Sequence, residues 1–349
     1  MKVAILTLTG DNNYGNKLQN YAVQYQIKKI GCEPTTIRIC KEKYYLKMML
    51  VIIISPIVSL IEKYKEKIKR KLCFWNFNKL IEQDFKNISF VNIEAVKTKL
   101  LEYDKIIYGS DQIWNTEMKS FSEIYLGYCA SKDKNIALCA SFGKEKIEKQ
   151  YWELFNNGLQ NFACISVREN AGKKIVKEIA NVDALVLPDP TLTVPISEWI
   201  KIEHEVKVPE EYVLTYFLGK EPVDKLNRIA NDKNLKIINA NISQPYGPAE
   251  FLYLIHHASL ICTDSFHACV FSILYKKSFC VFSRDDNYQK MNSRMDTLFN
   301  TLEINPQKLH GYDVINKDEM DWIKIDMIIN RERERFKHYL NTALYKNIT

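Results

Sequence analysis

The sequence predicts two doubly wound α/β domains that face one another across a cleft. Apolar strand-like runs alternate with amphipathic helical stretches almost throughout, the pattern of parallel sheets covered by helices on both faces. At 349 residues the chain also exceeds what a single hydrophobic core usually organises. The proline-rich stretch LPDPTLTVPISEW (187–199) divides the alternation into two series. The expected domains are therefore 1–195, carrying a helical excursion at about 44–86, and 196–320, followed by a C-terminal helix within 321–349.

The first element is a strand at Lys2–Leu8, too short an apolar run for a signal peptide. The turn after it, GDNNYGNKLQN, offers Asp11, Asn12, Asn13, Gly15 and Asn16 in succession. A chain reversal needs fewer such residues, so the excess points to a ligand. In the helix beyond, Leu18, Ala22 and Tyr25 form one stripe and Val23, Ile27 and Ile30 a second, with Gly31 as the stop. Both stripes call for burial. Further strands are expected at Thr35–Ile39, Lys105–Tyr108, Ile136–Ala140, Cys164–Val167 and Ala184–Leu187. In the second series, strands at 212–218, 235–240, 259–264 and 279–282 alternate with helices from near Glu221, at 248–258, at 266–277 and from about Met291. The last segment is helical, with Trp322, Ile325, Ile329 and Phe336 as anchors that brace it on the first domain.

The net charge of +7 comes from lysine spread along the chain, without the arginine blocks or aromatic-basic interleaving of a nucleic-acid groove. An anionic small molecule or a membrane surface fits better. The nine cysteines lie mostly inside apolar runs, and no pair has CxxC spacing. They read as buried thiols of a cytoplasmic protein, with neither a disulfide framework nor a structural zinc site. The apolar segment MMLVIIISPIVSLI (48–61) falls short of the roughly 20 residues a span requires, and Pro56 interrupts it. It reads as a domain-capping helix or as an interfacial helix whose basic flank, EKYKEKIKRKL, rests on anionic lipid. The second reading places the protein peripherally on the inner face of the plasma membrane. Oligomeric state is not legible.

Three polar loops each follow an expected strand and so gather at sheet ends facing one cleft: GDNNYGNKLQN, YGSDQIWN (108–115) and TDSFHAC (263–269). In the last, Thr263, Asp264, Ser265 and His267 occupy a strand-to-helix switch. Helix-start amides make an anion site there; the dipole disfavours the imidazolium of His267 and nearby Asp264 favours it. In YGSDQIWN, Ser110, Asp111 and Gln112 suit hydrogen bonding to sugar hydroxyls, with Trp114 as an apolar platform, against the alternative of a self-satisfied Asx-turn. Arg168 is the only arginine between Arg70 and Arg228. Its place at a strand end suits a bidentate clamp on a carboxylate or phosphate, or an interdomain salt bridge. His256 and His257 lie late in a helix and read as packing or dipole partners.

The motifs NNYGNKLQNYAV, YGSDQIWN, ASFGK, ISVREN, LPDPTL, GPAEFLYLI and TDSFHACVFSILYKKSFCVF occur in this order. Together they resemble the polysaccharide pyruvyl transferase family over residues 1 to about 305. The resemblance implies a GT-B-like pair of Rossmann-like domains. It also implies transfer of pyruvate from phosphoenolpyruvate to two hydroxyls of a surface-polysaccharide sugar or its lipid-linked precursor, forming a cyclic ketal. His267 matches the family's required histidine and Arg168 one of its arginines. Where some relatives carry Arg-Leu-His, this chain has Ser265, Phe266 and His267, and Ala268 stands where many have glycine. Arg284, Arg294 or Lys17 would then replace the missing cation.

The chemistry of the residues is compatible with that reaction. Arg168 and the helix start after Asp264 supply cation and amides for a carboxylate and a phosphate. His267 is the general acid expected at the methylene carbon, and Asp111 the residue that orients or deprotonates the acceptor. The first turn, through Asn13, Gly15, Asn16 and Gln19, is expected to line the cleft. No metal and no cofactor beyond the co-substrate is called for. Two rivals stand beside this reading: a nucleotide-sugar glycosyltransferase on the same architecture, and a noncatalytic scaffold in polysaccharide assembly.

Overall fold

A computed structural model describes residues 1–10, 13–39, 62–90, 92–283 and 293–345. The 48–61 segment and Arg284 lie outside them. Seven parallel strands form the first sheet: β1 (Lys2–Leu6), β2 (Glu33–Ile39), β3 (Lys86–Phe90), β4 (Lys105–Tyr108), β5 (Asn135–Ala140), β6 (Cys164–Val167) and β7 (Leu185–Val186). Their order is β3-β2-β1-β4-β5-β6-β7, so the winding reverses between β1 and β4. In the second sheet β8 (Tyr212–Tyr216), β9 (Lys236–Asn239), β10 (Leu260–Thr263) and β11 (Phe279–Phe282) run parallel in the order β9-β8-β10-β11. The antiparallel hairpin β12 (Gln307–Leu309) and β13 (Tyr312–Ile315) extends it beyond β11. The expected pair of Rossmann-like domains is present.

Three strands were not expected: β3, β12 and its hairpin partner β13. Strand β3, KNISF, is an edge strand of intermediate exposure, and β12 is exposed at every position. Neither buries a face, so neither carries a strong period-two signal.

The helices are α1 (Tyr14–Lys29), α2 (Glu62–Glu82), α3 (Ile93–Leu100), α4 (Trp152–Leu159), α5 (Asn170–Ala180), α6 (Pro190–Thr193), α7 (Ile196–Ile200), α8 (Val223–Asp232), α9 (Pro248–His257), α10 (Phe266–Leu274), α11 (Ser293–Leu302) and α12 (Trp322–Tyr345). The two stripes of α1 have separate destinations. Leu18 and Ala22 enter a core shared with Phe74, Tyr212, Phe251 and Phe271, most of it contributed by the second domain. Val23 and Ile27 pack against Val3 and Ile5 of the first sheet and Phe336 and Leu340 of α12. At about 1.5–3 kcal/mol for each fully buried aliphatic side chain, both contacts are substantial, and α1 is held between the two bodies.

Helix α2 adds a latch. The Arg70 guanidinium lies 4.6 Å from the Tyr14 ring centre and 4.9 Å from that of Phe74, and it donates to the Tyr246 carbonyl at 3.0 Å. Tyr14 donates to the Ala240 carbonyl at 3.0 Å; burial pushes its phenol up to about 12, so it stays a donor. Helix α12 spans both bodies. Ile325 and Ile329 join the second-domain core, while Phe336 packs beneath the first sheet and Tyr339 donates to the Ala137 carbonyl at 2.8 Å. Among the described residues no helix is long and apolar enough to cross a membrane, and the described cysteines are free thiols.

Candidate active site

The polar loops follow β1 and β4 in one sheet and β8 and β10 in the other, the points where each winding reverses. At the second-domain end, Thr263 donates to the Tyr216 carbonyl at 2.6 Å and accepts from the Ser265 amide at 3.0 Å. The two oxygens of Asp264 accept the Leu218 and Gly219 amides, each at 2.8 Å. Ser265 caps α10, accepting from the Ala268 amide. Asp264 and Ser265 were expected to bind the donor; they are instead spent on holding the turn, because helix start and neighbouring loop both need their amides satisfied.

That turn delivers His267, 6% exposed, across the domain seam. Its ring lies against the backbone of Gly15 so closely that a Cβ there would sit 2.1 Å from Nδ1. Nε2 has no hydrogen-bond partner and lies 3.8 Å from Oδ2 of Asp189. Asp189 accepts from Arg168 Nη1 at 2.6 Å through Oδ2, and from the Thr191 amide and hydroxyl at 3.0 and 2.6 Å through Oδ1. Arg168 Nη2 donates to Asp111 at 2.9 Å. His267, Asp189, Arg168 and Asp111 thus form one buried row, with the Arg168 guanidinium between two carboxylates and the imidazole at the end.

The expected bidentate clamp is corrected by this row. Arg168 is fully buried and both terminal nitrogens are held by carboxylates of its own domain; only Nε is without a partner. Asp111, 4% exposed, commits Oδ1 to the same ion pair and to the Gln112 amide. Burial would raise the Asp189 carboxyl, but the Arg168 guanidinium, then His267, hold it below its ordinary value. Burial pushes the His267 imidazole below its ordinary value, with Asp189 and Asp111 opposing and Arg168 and Arg294 adding to the shift. His267 is therefore neutral at pH 7, and the carboxylate facing it is Asp189 rather than Asp264.

Beside this row a cavity of about 250 Å³ opens, lined among others by Arg168, Asp189, Phe266, Arg294, Glu332 and Arg335. The Phe266 ring stands between two guanidinium groups, 5.1 Å from that of Arg168 and 5.6 Å from that of Arg294. Arg294 is 5% exposed and lines the cavity. Arg335, on α12, pairs with Glu332 at 2.6 Å and keeps about half of its side chain exposed. Lys17 is buried within α1 and does not line this cavity.

Most of the expected cleft-lining residues serve the loops themselves. Gln19 donates to Thr7, the Leu8 carbonyl and the Asn16 carbonyl, and accepts from Ser110 at 2.7 Å. Both Gln19 and Ser110 are wholly buried, tying the loop after β1 to that after β4. Trp114 is no sugar platform: it is fully buried against Phe142 and Phe162, with its indole N–H on the Tyr125 carbonyl. The apolar bulk of its ring finds a core within reach. Gln112 accepts from Asn115 at 2.8 Å, Asn13 caps the start of α1 by accepting the Gly15 amide at 2.9 Å, and Asn16 is buried. Gly109 belongs to the same support, since a Cβ there would meet the Leu138 carbonyl at 2.2 Å.

The main residue missed from sequence is Asp189. It sits between Pro188 and Pro190 in the proline-rich stretch that divides the two series, and its signal is an acidic N-cap followed by proline at the first helical position. Glu169 stands out in sequence only as a glutamate at a strand end, in SVRE (166–169), with no role attached. Wholly buried, it accepts the Phe142 amide at 2.8 Å and so positions the ASFGK loop, and burial raises its carboxyl.

Fold and site define a protein of two Rossmann-like domains with a histidine at their seam. The polysaccharide pyruvyl transferase family model matches residues 13–286, and the chain belongs to that family. A sugar or polysaccharide acceptor follows from membership in general terms. Among solved structures, the UDP-GlcNAc 2-epimerase of Methanocaldococcus jannaschii is similar at 13% identity and TM-score 0.48, over 95% of this chain and 99% of that one. The UDP-N-acetylglucosamine 2-epimerase of Rickettsia bellii gives 10% and 0.49, over 98% of each, and a glycosyltransferase of Rickettsia africae 11% and 0.47, over 99% and 98%. Likenesses of this strength say nothing of activity or ligand. No curated protein matches the sequence.

Proposed function

We propose that the chain transfers pyruvate from phosphoenolpyruvate to two hydroxyls of a sugar in a surface polysaccharide or its lipid-linked precursor. The observation that carries the reading is a cavity of about 250 Å³ lined by Arg168, Arg294 and Arg335; Asp189, which also lines it, lies 3.8 Å from His267, whose own ring is not part of the lining. That volume is below the roughly 300–1,000 Å³ of drug-sized ligand sites, a fit for a small dianionic ester rather than a nucleotide sugar. Arg294, with Arg335 of α12, takes the place of the cation absent at Ser265.

In the free protein His267 is neutral, so it cannot begin as an acid. Negative charge placed beside it favours the imidazolium, and donor binding then takes up a proton. The imidazolium protonates the methylene carbon, a sugar hydroxyl attacks the adjacent carbon, phosphate leaves, and the second hydroxyl closes the ketal. Of the two hydroxyl protons, one restores the imidazolium and the other leaves on phosphate. Asp189 holds the ring and balances its positive charge, a positioning role.

Phosphoenolpyruvate at 100 times its dissociation constant should stabilise the protein by about 2.7 kcal/mol. Thermal unfolding reads this directly, and the shift should shrink in Arg294→Ala and Arg335→Ala. A response confined to uridine- or guanosine-diphosphate sugars would sink the reading. His267→Gln should fold normally and lose turnover by about 10²–10⁴-fold.

Proton uptake gives a separate check. Because His267 is held below its ordinary value when free and is raised when the donor binds, calorimetric binding enthalpy just above pH 6.5 should vary with the ionisation enthalpy of the buffer. The variation should vanish in His267→Gln. Buffer-independent enthalpy in the wild type would remove His267 from the acid role.

A further inference from the structure

We infer that Glu203, His256 and His257 form a transition-metal site at the end of the second sheet opposite the cleft. Helix α9 ends at His257 just before β10 begins at Leu260, whereas the cleft lies beyond the carboxyl ends of the strands. One ligand atom from each of the three residues lies within 4.8 Å of the others. A tetrahedral zinc with ligands at about 2.0–2.1 Å draws such atoms only somewhat closer, a closure the exposed His257 ring can supply.

The surroundings are those of prepared ligands. The Nδ1 of His257 lies 3.0 Å from the Tyr253 carbonyl, which can only accept. That fixes the proton on Nδ1 and leaves a lone pair on the other ring nitrogen. The Glu203 carboxylate is oriented by the Tyr275 hydroxyl at 2.6 Å and faces His256 Nδ1 at 3.0 and 3.1 Å. The imidazoles are themselves held in a ring column: Tyr253 to His257 at 4.0 Å, His257 to His256 at 4.6 Å and His256 to Tyr275 at 4.5 Å. Two imidazoles this close can share one cation. The carboxyl end of α9 adds the negative pole of its dipole.

Two imidazoles and one carboxylate suit zinc, nickel or copper over magnesium or calcium. An entering ion replaces the proton between His256 and Glu203, so binding releases a proton and weakens as pH falls. It would pin the segment leading from α7 into the second domain to the ends of α9 and α10.

The test is zinc titration by calorimetry on the full chain after chelator treatment, at pH 7.5 and 6. Wild type should bind one zinc ion per chain, more weakly at the lower pH. His257→Gln, at an exposed position, should weaken binding by about tenfold or more. His204→Gln is the control, since that histidine is exposed and faces Glu250 at 3.5 Å. Lack of saturable one-to-one binding overturns the site, as does unchanged affinity in His257→Gln or an equal loss in His204→Gln.

Discussion

Gly15→Ala is expected to reduce turnover by about 10²-fold or more, because each ångström of misplacement at a reacting group costs on that order. The new methyl group would stand 2.1 Å from His267 Nδ1 and 2.6 Å from its Cε1. One side or the other has to yield, and the ring is the part on which the proposed chemistry depends. Overpacking of this kind also costs about 1–3 kcal/mol of stability. The sign is diagnostic, since alanine in a helix is otherwise better than glycine by up to about 1 kcal/mol. In a His267→Ala background the clash is gone, so Gly15→Ala should become neutral or stabilising. Urea unfolding of the four proteins in this cycle, with pyruvyl-transfer assays of wild type and Gly15→Ala, checks both halves. A stability cost that is the same with and without His267 would mean that the ring contact is not its cause.

Arg168→Met should destabilise the protein by about 3–5 kcal/mol, the range for removing one member of a buried ion pair and leaving the rest behind. Asp189 and Asp111 would remain in the interior without the cation that both now contact, at 2.6 and 2.9 Å. The pH dependence reports the mechanism. In the wild type Asp189 is held below its ordinary value, so its ionisation stabilises the fold above about pH 4 and is lost only as pH falls through its lower folded value. Without Arg168 burial drives the Asp189 carboxyl upward, the folded state binds protons more readily, and stability rises as pH falls. The gap between the two proteins should therefore be wide at pH 7.5 and narrower at pH 5. Arg168→Lys, which keeps charge but not the fork, should fall between them. A loss below about 1 kcal/mol in Arg168→Met would contradict the buried-row account.

The sequence by itself determined the fold class and the placing of the polar loops. Buried parallel strands such as those at Lys105–Tyr108 and Phe279–Phe282 are continuous apolar runs, and the polar residues ending them have to lie at the sheet ends. The family was legible from motifs that occur in order along the chain, the stretch that carries His267 among them. What only the tertiary structure decided is which polar side chains face the cleft and which pay for the loops. Asp264, Ser265, Ser110 and Gln19 have the chemistry of ligand contacts, but each is closed on backbone or side-chain partners, several of them distant in sequence. Asp189 is the converse, a residue of the proline-rich stretch between the two series that comes to face His267 at 3.8 Å because the stretch folds back under Arg168. Buried polar groups must be satisfied by whatever lies nearest in space, and nearness in space between β4, β6, α6 and α10 is not written in any local stretch of the chain.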